Sequence, residues 1–308
     1  MKELWTETYR PKTIDGYVFT DVSTKEQVEE WIKESSIPHL LLHGPAGTGK
    51  TTLAKILVNQ CGIDGYDFLQ VNASRDNGVD FLKKQIEGFV STMPFGHLKI
   101  VLLDEADYLS PPAQGLLRGL METYQSQARF ILTCNLVHKI ITPLKSRCVE
   151  LHINKTDQTE FTARAATVLV TEGVEFELDT LDSYVRATYP DLRKCLNLLQ
   201  PNSSTGTLLS PRSSEASSTA DYRLAMVDMM KNGRVRQARE LLCSQARPEE
   251  MEEIFRWMYD NLELWGKTHE LQDEAIVIIR KGMVSHTQCG DPEINLSATL
   301  VELTQLGA

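Results

Sequence analysis

In the first half of the chain the hydrophobic residues form short unbroken aliphatic runs, separated by stretches where they recur every three or four positions. The runs around Leu40, Ile100 and Phe130 have the length of strands and no polar alternation, so they predict strands of a parallel sheet covered on both faces. Residues 66–72 and 149–153 predict two more. Between them, residues 24–34 carry Val28, Trp31 and Ile32 at helical spacing, a helix begins near Thr51, another carries Phe81, Leu82 and Ile86, and residues 112–123 predict a fourth. Strands alternating with helices imply an α/β domain.

After residue 157 the strand pattern stops. Residues 157–172, 179–188 and 190–199 predict three helices. Residues 201–220 contain seven Ser and two Pro, a composition that supports no core and marks a linker or long surface loop. Five helices follow, over 221–232, 234–246, 248–264, 268–285 and 292–306, the last opened by Asp291-Pro292-Glu293. The expected organisation is an α/β domain over 1–155, a helical lid over 156–200, a linker over 201–220 and an all-α domain over 221–308.

Composition narrows the class. A chain of 308 residues, 42% hydrophobic and 24% charged, suits a soluble globular protein of two or three domains. No apolar run approaches the roughly eighteen residues of a membrane span, and the first residues lack a signal-peptide core, so an intracellular location is expected. The six cysteines show no CxxC spacing, which argues against zinc and against a disulfide framework. A net charge of −10 disfavours a surface that coats nucleic acid throughout. Contact with DNA would need a local basic face or helix N-termini.

The candidate chemistry is concentrated where strands end. The run through Leu42 leads into Gly44-Pro45-Ala46-Gly47-Thr48-Gly49-Lys50-Thr51-Thr52, a glycine-rich loop opening a helix. Such a loop turns backbone N–H groups toward a triphosphate, with Lys50 on the β/γ-phosphates and Thr51 on Mg²⁺. The run through Leu103 ends in Asp104 and Glu105, placed to hold the metal and to polarise an attacking water. Asp104-Glu105-Ala106-Asp107 also suggests an RNA helicase, but such enzymes carry two linked sheet domains and this chain turns helical after 157. Asn135 closes the next strand, where it would touch the γ-phosphate, orient the water or cap a turn. Arg147, before the last strand, is either a solvated charge or an arginine finger for a neighbouring subunit's site. Arg193 is a surface helix residue or a lid contact to the γ-phosphate. The lead Trp5-Thr-Glu-Thr-Tyr9-Arg10-Pro11 either folds toward the nucleotide base or packs as an N-terminal arm.

Taken together, these segments resemble the AAA+ clamp-loader ATPases, specifically replication factor C small subunits and the large clamp-loader subunit of T4-like bacteriophages. The matching segments run from Trp5–Pro11 through Gly44–Thr51, Val71–Ser74, Asp104–Asp107, Gln114 with Arg118, Thr133–Asn135 and Ser146-Arg147-Cys148 to Pro190–Lys194. The resemblance implies an AAA+ P-loop fold with a helical lid and a helical collar. It implies a motor subunit of a pentameric ring that binds ATP and Mg²⁺, opens a sliding clamp and places it on primer–template DNA beside a companion loader subunit and copies of itself. It assigns Lys50, Thr51, Asp104, Glu105, Asn135 and Arg193 to the ATP site in cis, with Tyr9 and Arg10 beside the nucleotide, and Arg147 to the neighbour's site. It makes Asn72 the switch residue restraining Glu105, and puts Gln114 and Arg118 on a relay helix. DNA-facing residues would fall near Arg75 and Asn77, where the order Arg-Asp-Asn departs from the family's Asp-x-Arg. The expected location is the cytoplasm, of an infected host if the source is a phage, or a eukaryotic nucleus. Two other readings stand beside it: a non-hydrolysing scaffold subunit of such a ring, which the intact Lys50, Glu105 and Arg147 disfavour, and another AAA+ enzyme such as a helicase loader or branch-migration motor.

Overall fold

The computed structural model describes residues 3–75, 78–209, 225–227, 229, 234–245, 250–286 and 288–306. The chain divides into two compact units, one of Tyr9–Asp157 and one of residues 1–8 with 158–308.

The first unit is built on five parallel strands: β1 Leu40–His43, β2 Phe68–Asn72, β3 Lys99–Asp104, β4 Ala128–Cys134 and β5 Val149–His152, in the spatial order β2-β3-β4-β1-β5. Successive residues of a strand face opposite sides, and here each side has its own core. Leu41, Val101, Leu103, Phe130 and Leu132 pack with Leu117 and Met121 on one face. Leu40, Leu42, Ile100, Leu102 and Ile131 pack with Leu53 and Leu57 on the other. This double burial is why the strand sequences lack polar alternation; each such leucine contributes roughly 1.5–3 kcal/mol.

Helices cover the sheet over Val22–Glu34, Lys50–Gln60, Pro111–Thr123 and residues 79–90, the last passing through one π-helical stretch at Lys83–Glu87. Asp21 caps Val22–Glu34 by accepting from Thr24 N–H, and Ser110 caps Pro111–Thr123 by accepting from Ala113 N–H. The glycine loop, the acid pair and Asn135 all lie at the carboxyl ends of β1, β3 and β4, the edge at which parallel α/β sheets bind ligands.

The second unit contains helices Gln158–Thr171, Leu178–Thr188, Leu192–Asn202, Val235–Gln245, Met251–Asp260, His269–His286 and Pro292–Leu306. Trp257 and Trp265 meet edge to face at 6.4 Å in its core. Trp257 Nε1 donates to Arg186 O, and Arg186 pairs with Asp182 and Glu263, joining the expected lid and collar segments into one body. Two segments differ from the sequence expectation. Trp5–Thr8 is a short helix in this unit, with Trp5 N–H donating to Gln200 Oε1 at 3.0 Å. Residues 201–209, expected as linker, are packed: Ser203 Oγ donates to Leu199 O, Leu208 is buried, and Leu208 N–H donates to Glu175 O. The rest of the Ser-rich segment, 210–220, lies outside the described residues, as does most of the helix expected over 221–232.

Candidate active site

The loop after β1 depends on glycine at its ends. Gly44 sits at φ +147, and a Cβ there would stand 2.2 Å from Ile153 O, because Ile153 N–H donates to His43 O beside it. Gly49 sits at φ +89 against the Tyr17 ring, whose hydroxyl donates to Thr48 O. Thr48 Oγ1 donates to Pro45 O at 3.0 Å, closing the turn. Pro45, Ala46 and Gly47 form its outer arc, and Thr52 lies half-buried as the third residue of the helix Lys50–Gln60. The Lys50 ammonium is buried and donates to Gly44 O at 2.9 Å and Pro45 O at 2.6 Å.

Oxygen donors converge beside it. Thr51 Oγ1 donates to Asp104 Oδ1 at 2.7 Å, and Thr133 Oγ1 donates to the same oxygen at 2.5 Å. Glu105 holds a left-handed conformation, φ 59 and ψ 43, with its N–H donating to Thr133 Oγ1 at 3.1 Å. Buried Asp107 Oδ2 accepts the backbone N–H groups of Asn135 and Leu136 at 3.3 and 3.1 Å, so the turn holding exposed Asn135 hangs from the acid segment. Asn72 pairs in register with Asp104, but its side-chain oxygen accepts from Ser74 N–H and Oγ; the restraint on Glu105 that the resemblance implied is not among its bonds here.

Gln114, expected as a DNA-facing or relay residue, is 1% exposed, which excludes DNA contact in this conformation. It donates to Leu109 O and Lys139 O and accepts from Ile141 N–H, fastening helix Pro111–Thr123 to the segment between Asn135 and Arg147. Arg118 and Arg147 both approach Glu122 Oε1, on the exposed side of that helix.

Arg147 lies two residues before β5, at the amino edge of the sheet, whereas the glycine loop is at the carboxyl edge. The four residues of β1 alone separate those edges by about 13 Å. Arg147 lines a groove of about 570 Å³ with Arg129, His39, Ser146 and Trp31. Burial, followed by the fields of Arg129 and Arg147, pushes the His39 imidazole down to about 4, and its Nδ1 accepts from Phe130 N–H, so the ring is neutral with its proton on Nε2. Burial pushes the thiols of Cys134 and Cys148 up to about 12, leaving both inert.

The remaining expected residues are less gathered. Tyr9 and Arg10 are half-buried at the start of the sheet unit. Arg193 is exposed in the first turn of Leu192–Asn202, in the helical unit. Arg75 is exposed just past β2, and Asn77 lies outside the described residues.

Two features escaped the sequence reading. One is the role of Thr133, named above only within the segment Thr133–Asn135, because its position in an apolar run hid its bonds to the acid pair. The other is an exposed apolar ridge of Met93 and Phe95, each 80% exposed, with Tyr66 5.5 Å from Phe95 between ring centroids. Its loop is pinned by two buried charges: Asp67 accepts from Phe95 and Gly96 N–H, and Lys99 donates to Phe89 O and Thr92 Oγ1. Three large apolar residues amid Pro and Gly were the available signal.

Residues 40–156 match the ATPase family associated with various cellular activities (AAA). Over the full chain and 99% of the relative, the sequence is 30% identical to the replication factor C small subunit of Picrophilus torridus. It is 33% identical to that of Sulfolobus acidocaldarius over 97% of this chain and 95% of the relative. The chain belongs to the replication factor C small subunit family. As a member of that family it is a clamp-loader ATPase subunit of DNA replication, and its sheet unit binds nucleotide. The fold is also that of the Thermotoga maritima RuvB Holliday-junction branch-migration motor, with TM-score 0.52 at 18% identity over 62% of this chain and 63% of that one. Among the described residues of this replication factor C member, no helix is long and apolar enough to cross a membrane.

Proposed function

We propose that this subunit hydrolyses ATP only in a ring, with each active site divided between neighbours, and that the ring opens a sliding clamp and sets it on primer–template DNA. The observation that carries this reading is the position of Arg147 at the sheet edge opposite its own glycine loop. A guanidinium there is out of reach of its own nucleotide, and by exchanging Glu122 for phosphate it would serve an adjacent subunit's.

Within one subunit, the loop N–H groups and the helix N-terminus at Lys50 bind the phosphates of ATP. Lys50 exchanges its two carbonyl partners for phosphate oxygens. Thr51 and Asp104 offer hard oxygen donors of the kind Mg²⁺ selects, and they already converge. Bound there, the ion would neutralise charge on the β- and γ-phosphates. Glu105 polarises the attacking water, Asn135 positions it, and the partner's Arg147 stabilises charge on the transferred phosphoryl group. Arg193, on the lid, reports the γ-phosphate to the helical unit, while Tyr9 and Arg10 border the base. The Met93–Phe95 ridge offers rigid apolar anchors for a clamp, because a large exposed apolar patch on a pinned loop marks a protein interface. Arg75 and Arg118 serve the DNA phosphates. The companion loader subunit and further copies of this chain complete the pentamer through the helices after residue 234.

ATPase rate measured with and without primer–template DNA and a cognate clamp tests this reading. Stimulation by both together is expected; no response to either overturns it.

A further inference from the structure

β4 runs between β1 and β3, so its carboxyl end occupies the gap between the glycine loop and the acid pair. The residue in that gap is Thr133, which is 2% exposed. A hydroxyl has one proton to give and lone pairs to receive. The Thr133 proton goes to Asp104 Oδ1 at 2.5 Å, and its oxygen receives the Glu105 N–H at 3.1 Å. The oxygen it donates to is the one that Thr51 also donates to, at 2.7 Å. One side chain therefore touches both acids, and through Asp104 it is coupled to the residue opening the loop helix.

The bond to Glu105 has a particular consequence. Glu105 lies in the left-handed region, φ 59, which a non-glycine residue occupies only when its surroundings hold it there. That conformation turns the chain sharply after β3 and sets where the Glu105 side chain leaves the backbone. Its partly buried N–H has Thr133 Oγ1 as its partner. Without that oxygen the N–H loses this bond and the conformation loses a support.

We propose that Thr133 is a positioning residue for ATP hydrolysis: its hydroxyl aligns the Asp104 carboxylate for the metal and fixes the backbone turn that aims Glu105 at the water. This rests on the roles assigned above to Asp104 and Glu105. The requirement is for the hydroxyl and not for the shape. Valine fills the same space and suits a strand, yet offers neither donor nor acceptor, whereas serine keeps both.

The test uses the assembled complex with primer–template DNA and clamp, comparing wild type with Thr133→Val, Thr133→Ser, Glu105→Gln and the Val/Gln double variant. Thr133→Val should lower kcat by about tenfold or more with little change in KM for ATP, and should raise several-fold the Mg²⁺ concentration needed for half-maximal binding of a fluorescent non-hydrolysable ATP analogue. Thr133→Ser should recover most of both. In the Glu105→Gln background the valine should cost little more in kcat, because the aim of a missing carboxylate no longer matters. The proposal is overturned if valine leaves kcat and the Mg²⁺ dependence unchanged, if serine is as defective as valine, or if the valine effect is undiminished beside Glu105→Gln. Should the valine protein not bind a fluorescent ATP analogue, Thr133→Ala takes its place under the same criteria. A Glu105→Gln complex as fast as wild type would remove the role given to Glu105, while the Mg²⁺ shift would still judge the bond to Asp104.

Discussion

Replacing Gln114 by methionine tests how the two ends of the active-site machinery are held in one unit. The substitution keeps the length of the side chain and removes its amide. Three hydrogen bonds are lost, to Leu109 O at 3.0 Å, to Lys139 O at 3.0 Å and from Ile141 N–H at 2.8 Å. Each contributes about 1 kcal/mol net in a buried setting, giving roughly 3 kcal/mol. Burial of the methionine offsets about 1 kcal/mol, so a net loss of about 2 kcal/mol is expected. In urea unfolding followed by circular dichroism this shifts the midpoint of the sheet unit by about 1 M. Because Lys139–Ile141 connects Asn135 to the helix Thr142–Lys145 before Arg147, the ATPase rate of the assembly should also fall under conditions where the variant remains folded. A loss below about 0.5 kcal/mol with an unchanged rate would refute the view that Gln114 couples these segments.

Two further outcomes follow from the same geometry. The His39 imidazole should titrate near 4 by NMR. Its folded value lies below the free value of about 6.5, so the unfolded chain takes the proton first; the stability due to this group is intact above pH 6.5 and is lost as pH falls towards 4, by at most about 3 kcal/mol before solvent screening. A midpoint near 6.5 would contradict the burial and the two flanking guanidinium groups. Gly44→Ala should weaken nucleotide binding by about tenfold or more, since the new methyl would meet a backbone carbonyl at 2.2 Å and not a side chain that can yield. Wild-type affinity in equilibrium binding would count against this reading of the loop.

What could be read from the sequence was local. The glycine loop, its strand and its helix occupy one continuous stretch, so residues 40–52 contain all the information needed to recognise them. The same holds for the strand ends at Asp104 and Asn135. The interior of the site depends on residues far apart in sequence. Thr133 sits in an aliphatic run, and only the strand order, which sets β4 between β1 and β3, turns its hydroxyl into a link between two acids. Gln114 reads as a polar residue on a helix surface, yet it is buried because a loop 25 residues later closes over it. Residues 201–209 are rich in small polar residues, and their packing comes from pairing with Glu175, which composition does not encode. Trp5 joined the helical unit through Gln200, a contact spanning 195 residues.

The division of the active site between subunits is tested most directly by mixing two inactive variants. Lys50→Ala removes nucleotide binding and keeps the Arg147 finger; Arg147→Ala keeps the nucleotide site and removes the finger. Each variant assembled alone with companion subunit, clamp and DNA should hydrolyse ATP at a small fraction of the wild-type rate. Assembled together, rings that place an intact finger beside an intact nucleotide site should recover a substantial share of that rate. A mixture no faster than the sum of its parts, or an Arg147→Ala complex as fast as wild type, would contradict a site shared between neighbours.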